Sequence, residues 1–198
     1  MMKKRILFLS IMALAAFTTK SYPTHNESNL TINTKVSSVD WVGKKVTGQH
    51  SGTINIKEGS LHLHDGNLTG GKIVIDMTSM ACSDLNEEYA KKLIGHLSSA
   101  DFFDIKNHKT TTLNITSVRN IEGSKYTIAG NLTIKGITKP IEFPATIEMK
   151  DGKLGAYAEM SVDRTLYDIK YGSGKFFEGL GDKMINDEFI IKFKIAAE

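Results

Sequence analysis

The sequence has one cysteine, three prolines and one tryptophan among 198 residues, and its formal charge is only +3. Each scarcity excludes something. The one cysteine, Cys82, cannot close an intrachain disulfide, so the chain is no crosslinked scaffold. A chain that is 40% hydrophobic and 24% charged, with 17 glycines, is neither collagen-like nor disordered. It has the length of one domain, and a domain of about 150 residues buries roughly 70% of its unfolded surface without needing a metal or crosslink. The apolar run from Ile6 to Phe17 is well short of the about 20 residues that span a bilayer as a helix.

The small charge excess is local. Lys3, Lys4 and Arg5 supply all of it and precede the apolar run, which small and polar residues follow, the layout of a secretory signal peptide. Residues 1–21 are read as that leader. Removing Lys3, Lys4, Arg5 and Lys20 leaves 21 basic against 22 acidic residues, which takes away the argument for nucleic-acid binding. No cysteine follows the run to carry a lipid, so no stable membrane anchor is expected, and the chain is expected in the periplasm or secreted. In that oxidising compartment Cys82 is expected as a small buried apolar residue.

From Leu30 onward apolar residues alternate with polar ones, the signature of strands with one buried face. Ile54 and Ile56 flank Asn55; Leu61 and Leu63 flank His62; Ile73, Ile75 and Met77 repeat the pattern. It resumes at Leu113 and Ile115, at Ile128, Leu132 and Ile134, at Phe143, Ala145 and Ile147, at Ala156, Ala158 and Met160, and at Phe189, Ile191, Phe193 and Ile195. Asp65-Gly66, Glu122-Gly123 and Asp151-Gly152 fall between runs, where glycine can take the positive φ of tight hairpins. One stretch differs: Leu85, Tyr89, Leu93 and Leu97 recur every four residues, with Ala90 and Ile94 beside them. This predicts an amphipathic helix between strands, capped by Asp84 with Glu87 three residues on. Eight or nine hairpin-connected strands must bury their apolar faces in a two-sheet sandwich or a closed barrel, and closure is favoured because it removes exposed edges.

Candidates for chemistry are few. His62 and His64 share a strand face at zinc-chelating spacing, but a third ligand, His50 or His108, would have to arrive from elsewhere, and the alternation turns both outward. Gly172-Ser173-Gly174-Lys175 lacks the flanking residues of a phosphate-binding loop, with Ile169 and Phe176 at the deciding positions. No G-x-S-x-G elbow is present. Asp163-Arg164 ends an inward-alternating run, where the guanidinium either meets an acidic headgroup or pairs structurally with Asp163 or Asp168.

Several blocks in order resemble the YceI-like family: Trp41-Val-Gly-Lys-Lys, His50-Ser-Gly, Asp76-Met-Thr-Ser79, and above all His96-Leu-Ser-Ser-Ala-Asp-Phe-Phe-Asp104. Tyr126 to Pro140, Asp163-Arg164 and Gly181-Asp182 continue the likeness, which departs at Met80 and at Asn107-His108-Lys109. The resemblance implies an all-β fold, an eight-stranded antiparallel lipocalin-like barrel over residues 30–198, exported to the bacterial periplasm and holding a polyisoprenoid or other long-chain lipid. No catalytic set, cofactor or metal is implied. The lining expected from the alternating faces is Ile75, Met77, Leu113, Ile128, Leu132, Phe143, Ala158 and Phe193. Phe102 and Phe103 are expected to close one opening and Arg164 to meet a headgroup.

A barrel of eight strands either fills its interior or encloses one small ligand. At about 0.8 kcal/mol per buried CH₂, a tail of about sixteen carbons offers on the order of 13 kcal/mol before binding costs. The rival expectations are a packed barrel that binds a protein partner through its loops, and a metal-dependent enzyme using His50, His62 or His64. A homodimer is left open.

Overall fold

The computed structural model describes residues 26–198, and the leader read at residues 1–21 lies outside them. The elements are β1 (Glu27–Thr31), β2 (Ser38–Lys45), β3 (Gly48–His64), β4 (Asn67–Cys82), α1 (Glu87–Ser98), β5 (Thr110–Glu122), β6 (Lys125–Ile134), β7 (Ile137–Lys150), β8 (Lys153–Asp163) and β9 (Glu188–Ala197). All pairings are antiparallel and run β3-β2-β9-β8-β7-β6-β5-β4, with β4 returning to β3. The sheet is therefore a closed barrel. β1 and β2 share one position in it: both pair with β3, through Leu30↔Leu61 and Trp41↔Gly52, while Ile32 bridges Ala197. Nine strands thus occupy eight places.

The alternating faces point where the pattern predicts. Ile54, Ile56, Leu61, Leu63, Ile73, Ile75, Met77, Leu113, Ile128, Leu132, Phe143, Ala158, Met160 and Phe193 are all buried in one core. Three connections are two-residue turns with positive φ at both positions, namely Asp65-Gly66, Lys135-Gly136 and Asp151-Gly152. That conformation follows the right-handed twist of the flanking strands, and it suits Asp-Gly pairs because glycine carries no Cβ to clash. The expected Glu122-Gly123 turn lies one residue later, at Gly123-Ser124, because Glu122 still pairs with Lys125. Gly52 has a different purpose. A Cβ there would collide with the Ala81 carbonyl and lie 2.7 Å from Trp41 Cζ2, so its absence lets β3 approach β4 beneath the indole. The indole N–H donates to that same carbonyl at 3.1 Å.

Two expectations about the helix need correction. Its cap is Asn86, whose side chain accepts from the Tyr89 N–H at 3.1 Å. Asp84 is committed elsewhere: it accepts from the Ser51 N–H and the Cys82 thiol and faces His50. Cys82 is accordingly half-buried and hydrogen-bonded rather than a plain apolar filler. Tyr89 lies off the packing stripe and is exposed; Leu93, Ile94 and Leu97 make the contact with the barrel, and no helix residue is fully buried.

The barrel wall is regular at one end and interrupted at the other. The β4–β5 ladder stops at Asp76↔Thr110, leaving the last residues of β4 to α1 and the segment that follows it. The β7–β8 ladder stops at Ala145↔Ala158, directly beside Pro144, which like Pro140 has no N–H to contribute. A 3-10 turn, Arg164–Tyr167, touches β7, and Tyr167 and Ile169 are buried close behind it in sequence. α1, the segment after it and residues 164–187 all gather at this interrupted end, the loop end. The turns 65–66, 123–124 and 151–152 close the opposite, turn end.

Candidate functional site

The barrel interior is neither an open pipe nor packed solid. A cavity of about 140 Å³ lies towards the loop end, and a smaller one of about 50 Å³ towards the turn end. Every side chain expected to face the interior lines one of them. Ile75, Met77, Phe102, Phe103, Leu132 and Arg164 border the larger cavity; Ile128, Phe143 and Ala158 border the smaller. Leu113 and Phe193 belong to both walls and so stand at the constriction between the two. The small residues Ala145, Ala156 and Ala158 meet at the lower cavity, the space that Leu or Phe there would occupy.

The larger cavity also has walls that were not singled out from the sequence. Val39, Ile54, Met160 and Val162 follow from strand alternation and were legible in principle. Leu97 belongs to the helix stripe, but only tertiary folding brings it over the barrel, and Ile185 of the 164–187 loop has no local signal at all. Met80, one of the departures from the family blocks, is on this wall too. The wall runs out to Lys44, Asn186 and Glu188, which are exposed, so the cavity reaches the surface where β2 and β9 separate.

Phe102 and Phe103 sit where the segment after α1 folds over the loop end. Phe102 is buried and meets the His96 ring edge-on at 4.9 Å; His96 in turn meets Tyr171 at 4.6 Å, and Phe103 meets Phe189 at 6.1 Å. This aromatic stack joins α1, the segment after it and the 164–187 loop. Such edge contacts contribute about 0.5–1.5 kcal/mol each beyond their burial.

Arg164 anchors the same region. Its Nε donates to the Asn186 carbonyl at 2.9 Å, one terminal nitrogen to Ile169 at 2.8 Å and the other to Ile185 at 3.0 Å. Its carboxylate partner is Asp187, at 3.6 Å, rather than either expected residue. Asp163 instead caps the 3-10 turn through Thr165 and holds the Lys175 ammonium at 2.9 Å, while Asp168 pairs with Lys170. Burial pulls the guanidinium below its ordinary pKa, opposed by Asp187 and Asp163, and an arginine so placed stays a cation. Burial also pushes the Tyr167 phenol up to about 12, which keeps it neutral. Arg164 is therefore a staple that ties the 164–187 loop to the rim, with its guanidinium on the cavity wall.

The other candidates for chemistry lie away from the cavities. His62 and His64 project outward near the turn end, where His64 faces Glu27 and Asp65. His50 is at the opposite end of β3, beside Asp84, and His108 pairs with Asp104. Among the described residues no group of three or more metal-ligating side chains is arranged to hold a metal ion. In the Cys82–Asp84–His50 cluster the carboxylate lies between thiol and imidazole, and burial, followed by the bond to Asp84, raises the thiol pKa. That order opposes thiolate formation. In the 172–175 stretch Ser173 is buried and Lys175 is engaged by Asp163 and Asp187, so no anion cradle forms.

Comparison with known proteins agrees with this architecture. A UPF0312 protein of Pectobacterium atrosepticum is 29% identical over 96 residues, 48% of this chain and 47% of the relative. One from Pseudomonas putida is 30% identical over 117 residues, 58% of this chain and 59% of the relative. The chain thus spans about half the length of the curated relatives it matches. Among solved structures, BcnA of Burkholderia cenocepacia superimposes with a TM-score of 0.65 at 21% identity, covering 84% of this chain and 99% of the other. A polyisoprenoid binding domain from Saccharophagus degradans gives 0.62 at 11% identity, covering 85% and 97%. A YCEI protein of Campylobacter jejuni gives 0.52 at 18%, covering 100% and 99%. At such identities these three share the fold. Membership is carried by the sequence match itself, which extends over residues 30–197: the chain belongs to the YceI-like domain family.

Proposed function

We propose that this chain is a non-catalytic periplasmic carrier that holds a polyisoprenoid or other long-chain lipid inside the barrel. The observation that supports the reading most is the composition of the two cavities. Among the described residues their only ionisable side chains are Lys44, Arg164 and Glu188, all at the loop end, and everything deeper is apolar or small. Neither wall, among the described residues, contains a histidine, cysteine or aspartate. The similarity to a polyisoprenoid binding domain points the same way. Export rests on the leader pattern of residues 1–21.

Size refines the proposal. An apolar cavity of about 150 Å³ holds a guest the size of benzene, so the larger cavity by itself accepts only the first part of a long chain. A full tail requires Leu113 and Phe193 to turn aside and merge the two spaces. Rotamer changes of that kind need no change in strand pairing, because both side chains already point inward.

Native mass spectrometry of protein purified from its host is expected to show one copurified lipid per chain. Repeated recovery of lipid-free protein that also rejects added isoprenoids overturns the carrier role. Ala158→Trp is expected to shorten the longest chain retained, at a cost of about 1–3 kcal/mol for overpacking the lower cavity.

A further inference from the structure

We infer that the loop end is a docking surface for a lipid bilayer, with Phe176 and Phe177 entering the headgroup region. This rests on the carrier reading, because it assigns the route by which a lipid reaches the cavity. Five large apolar side chains crowd there, Val46, Tyr171, Phe176, Phe177 and Met184, each leaving between 39% and 53% of its surface to solvent. They come from two chain segments that are tied together. The Val46 N–H donates to the Met184 carbonyl, and the Ile185 N–H to the Gly172 carbonyl, so the patch moves as one rim. At the turn end the hairpin tips carry Asp65, Gly66, Gly123, Ser124, Asp151 and Gly152 instead.

Two features select a bilayer as the occupant. The first is continuity with the cavity: Lys44, Arg164, Ile185, Asn186 and Glu188 belong both to this end and to the wall of the larger cavity. A hydrocarbon leaving a membrane through this rim passes from one apolar medium to another. The second is the placement of cations. Lys44, Lys45 and Lys183 are exposed beside the apolar side chains, and the Lys170 ammonium stands 5.3 Å from the centre of the Phe176 ring. Long lysine stems lie along apolar surface while the ammonium reaches water or phosphate, the pairing found at membrane interfaces. Glu178 and Asp182 share the stretch, and Lys170 and Lys175 are already paired with aspartates, so net charge is a minor attraction. Apolar insertion therefore dominates.

Vesicle flotation tests this, using the full chain and residues 26–198, which contain every strand of the closed barrel, so that residues 1–25 are controlled for. Vesicles of phosphatidylcholine alone, and of phosphatidylcholine with phosphatidylglycerol, are both expected to capture the protein, the second a few-fold better. Phe176→Ser with Phe177→Ser is expected to reduce capture by about tenfold or more, with unchanged thermal unfolding and unchanged copurified lipid. Tyr157→Ser, an exposed aromatic on the barrel side, is expected to change nothing. Protein that carries lipid but does not bind either vesicle overturns the docking inference and leaves the carrier reading standing. Vesicle capture that survives the double substitution overturns it as well, as does self-association through this rim that displaces vesicles. Protein that neither carries lipid nor binds vesicles overturns both readings.

Discussion

The two ends of the barrel solve the same problem, ending a closed sheet, in opposite ways. At the turn end, β3–β4, β5–β6 and β7–β8 are joined by two-residue turns whose own sequence prescribes their geometry. At the loop end the β6–β7 hairpin keeps its own tight turn, Lys135-Gly136, but the β4–β5 and β7–β8 ladders stop early, and α1, the segment after it and residues 164–187 are laid across the gap. One end is held by local backbone preference alone, the other mainly by long-range side-chain contacts around Arg164 and the His96–Phe102–Tyr171 stack. The larger cavity lies at the second end. An entrance has to be made of parts that do not belong to the hydrogen-bonded wall, because a continuous ladder leaves no gap for a guest.

The contrast is broken most severely by Arg164→Ala. It removes three carbonyl contacts and the buried one of Asp187's two counter-charges, leaving only the exposed Lys175 ammonium, and breaking a buried pair from one side costs about 3–5 kcal/mol. Urea unfolding is expected to show the loss in its midpoint, whereas Lys150→Ala at the turn end stays within about 0.5 kcal/mol of the parent. A midpoint for Arg164→Ala close to that of Lys150→Ala would mean that the staple is redundant.

Gly152→Ala probes the other end. Nothing lies within 4 Å of the position a Cβ would take, but φ there is +74°, so the whole penalty is backbone strain, about 1–2 kcal/mol. The loss should appear in unfolding without any change in lipid content, since the turn contributes no side chain to either cavity wall, although Leu154 two residues on lines the smaller one. Altered lipid content in this variant would show that the two ends are coupled.

The smallest effects are expected from pH, with opposite signs at the two ends. The hydrogen bond that His64 donates to Glu27 raises the His64 pKa above its ordinary 6.5, burial opposes this, and the charges of Glu27 and Asp65 add to it. Its clasp between β1 and β3 is complete below about pH 6.5 and is lost as pH rises through the folded value. Burial pushes the Asp163 carboxyl up, but the bonds from Thr165 and Lys175 outweigh it and leave the pKa below the ordinary 3.8. Its stabilisation is complete above that range and disappears as pH falls through the lowered value. Amide protection, the exchange rate corrected for its intrinsic rise with pH, should therefore fall in β1 on the alkaline side and around Arg164–Tyr167 on the acid side. Both regions responding in the same direction would sink this assignment of charges.

Much of this was legible before any coordinates. Period-two alternation placed Ile75, Met77, Leu113, Ile128, Leu132, Phe143, Ala158 and Phe193 on inner faces, and the Asp-Gly pairs marked two of the turns, because both signals are local. The helix was legible from its spacing, but its cap was not. Asp84 and Asn86 are equally good capping residues in isolation, and only the approach of Ser51 and His50 from β3 decided between them. Arg164 was recognisable as a residue at a strand end, while its partner Asp187 lies 23 positions away and nothing in the intervening chain announces the pairing.

By itself, then, the order of residues determined which side chains turn inward, where the tight hairpins fall and which family the chain resembles. Only the tertiary structure decided that β1 and β2 share one place, that Leu113 and Phe193 pinch the interior into two cavities, and that the wider one opens beneath the 164–187 loop. The division has one physical cause. Which way a strand side chain points depends on its immediate backbone, whereas the space left between facing side chains depends on residues brought together from every strand of the barrel.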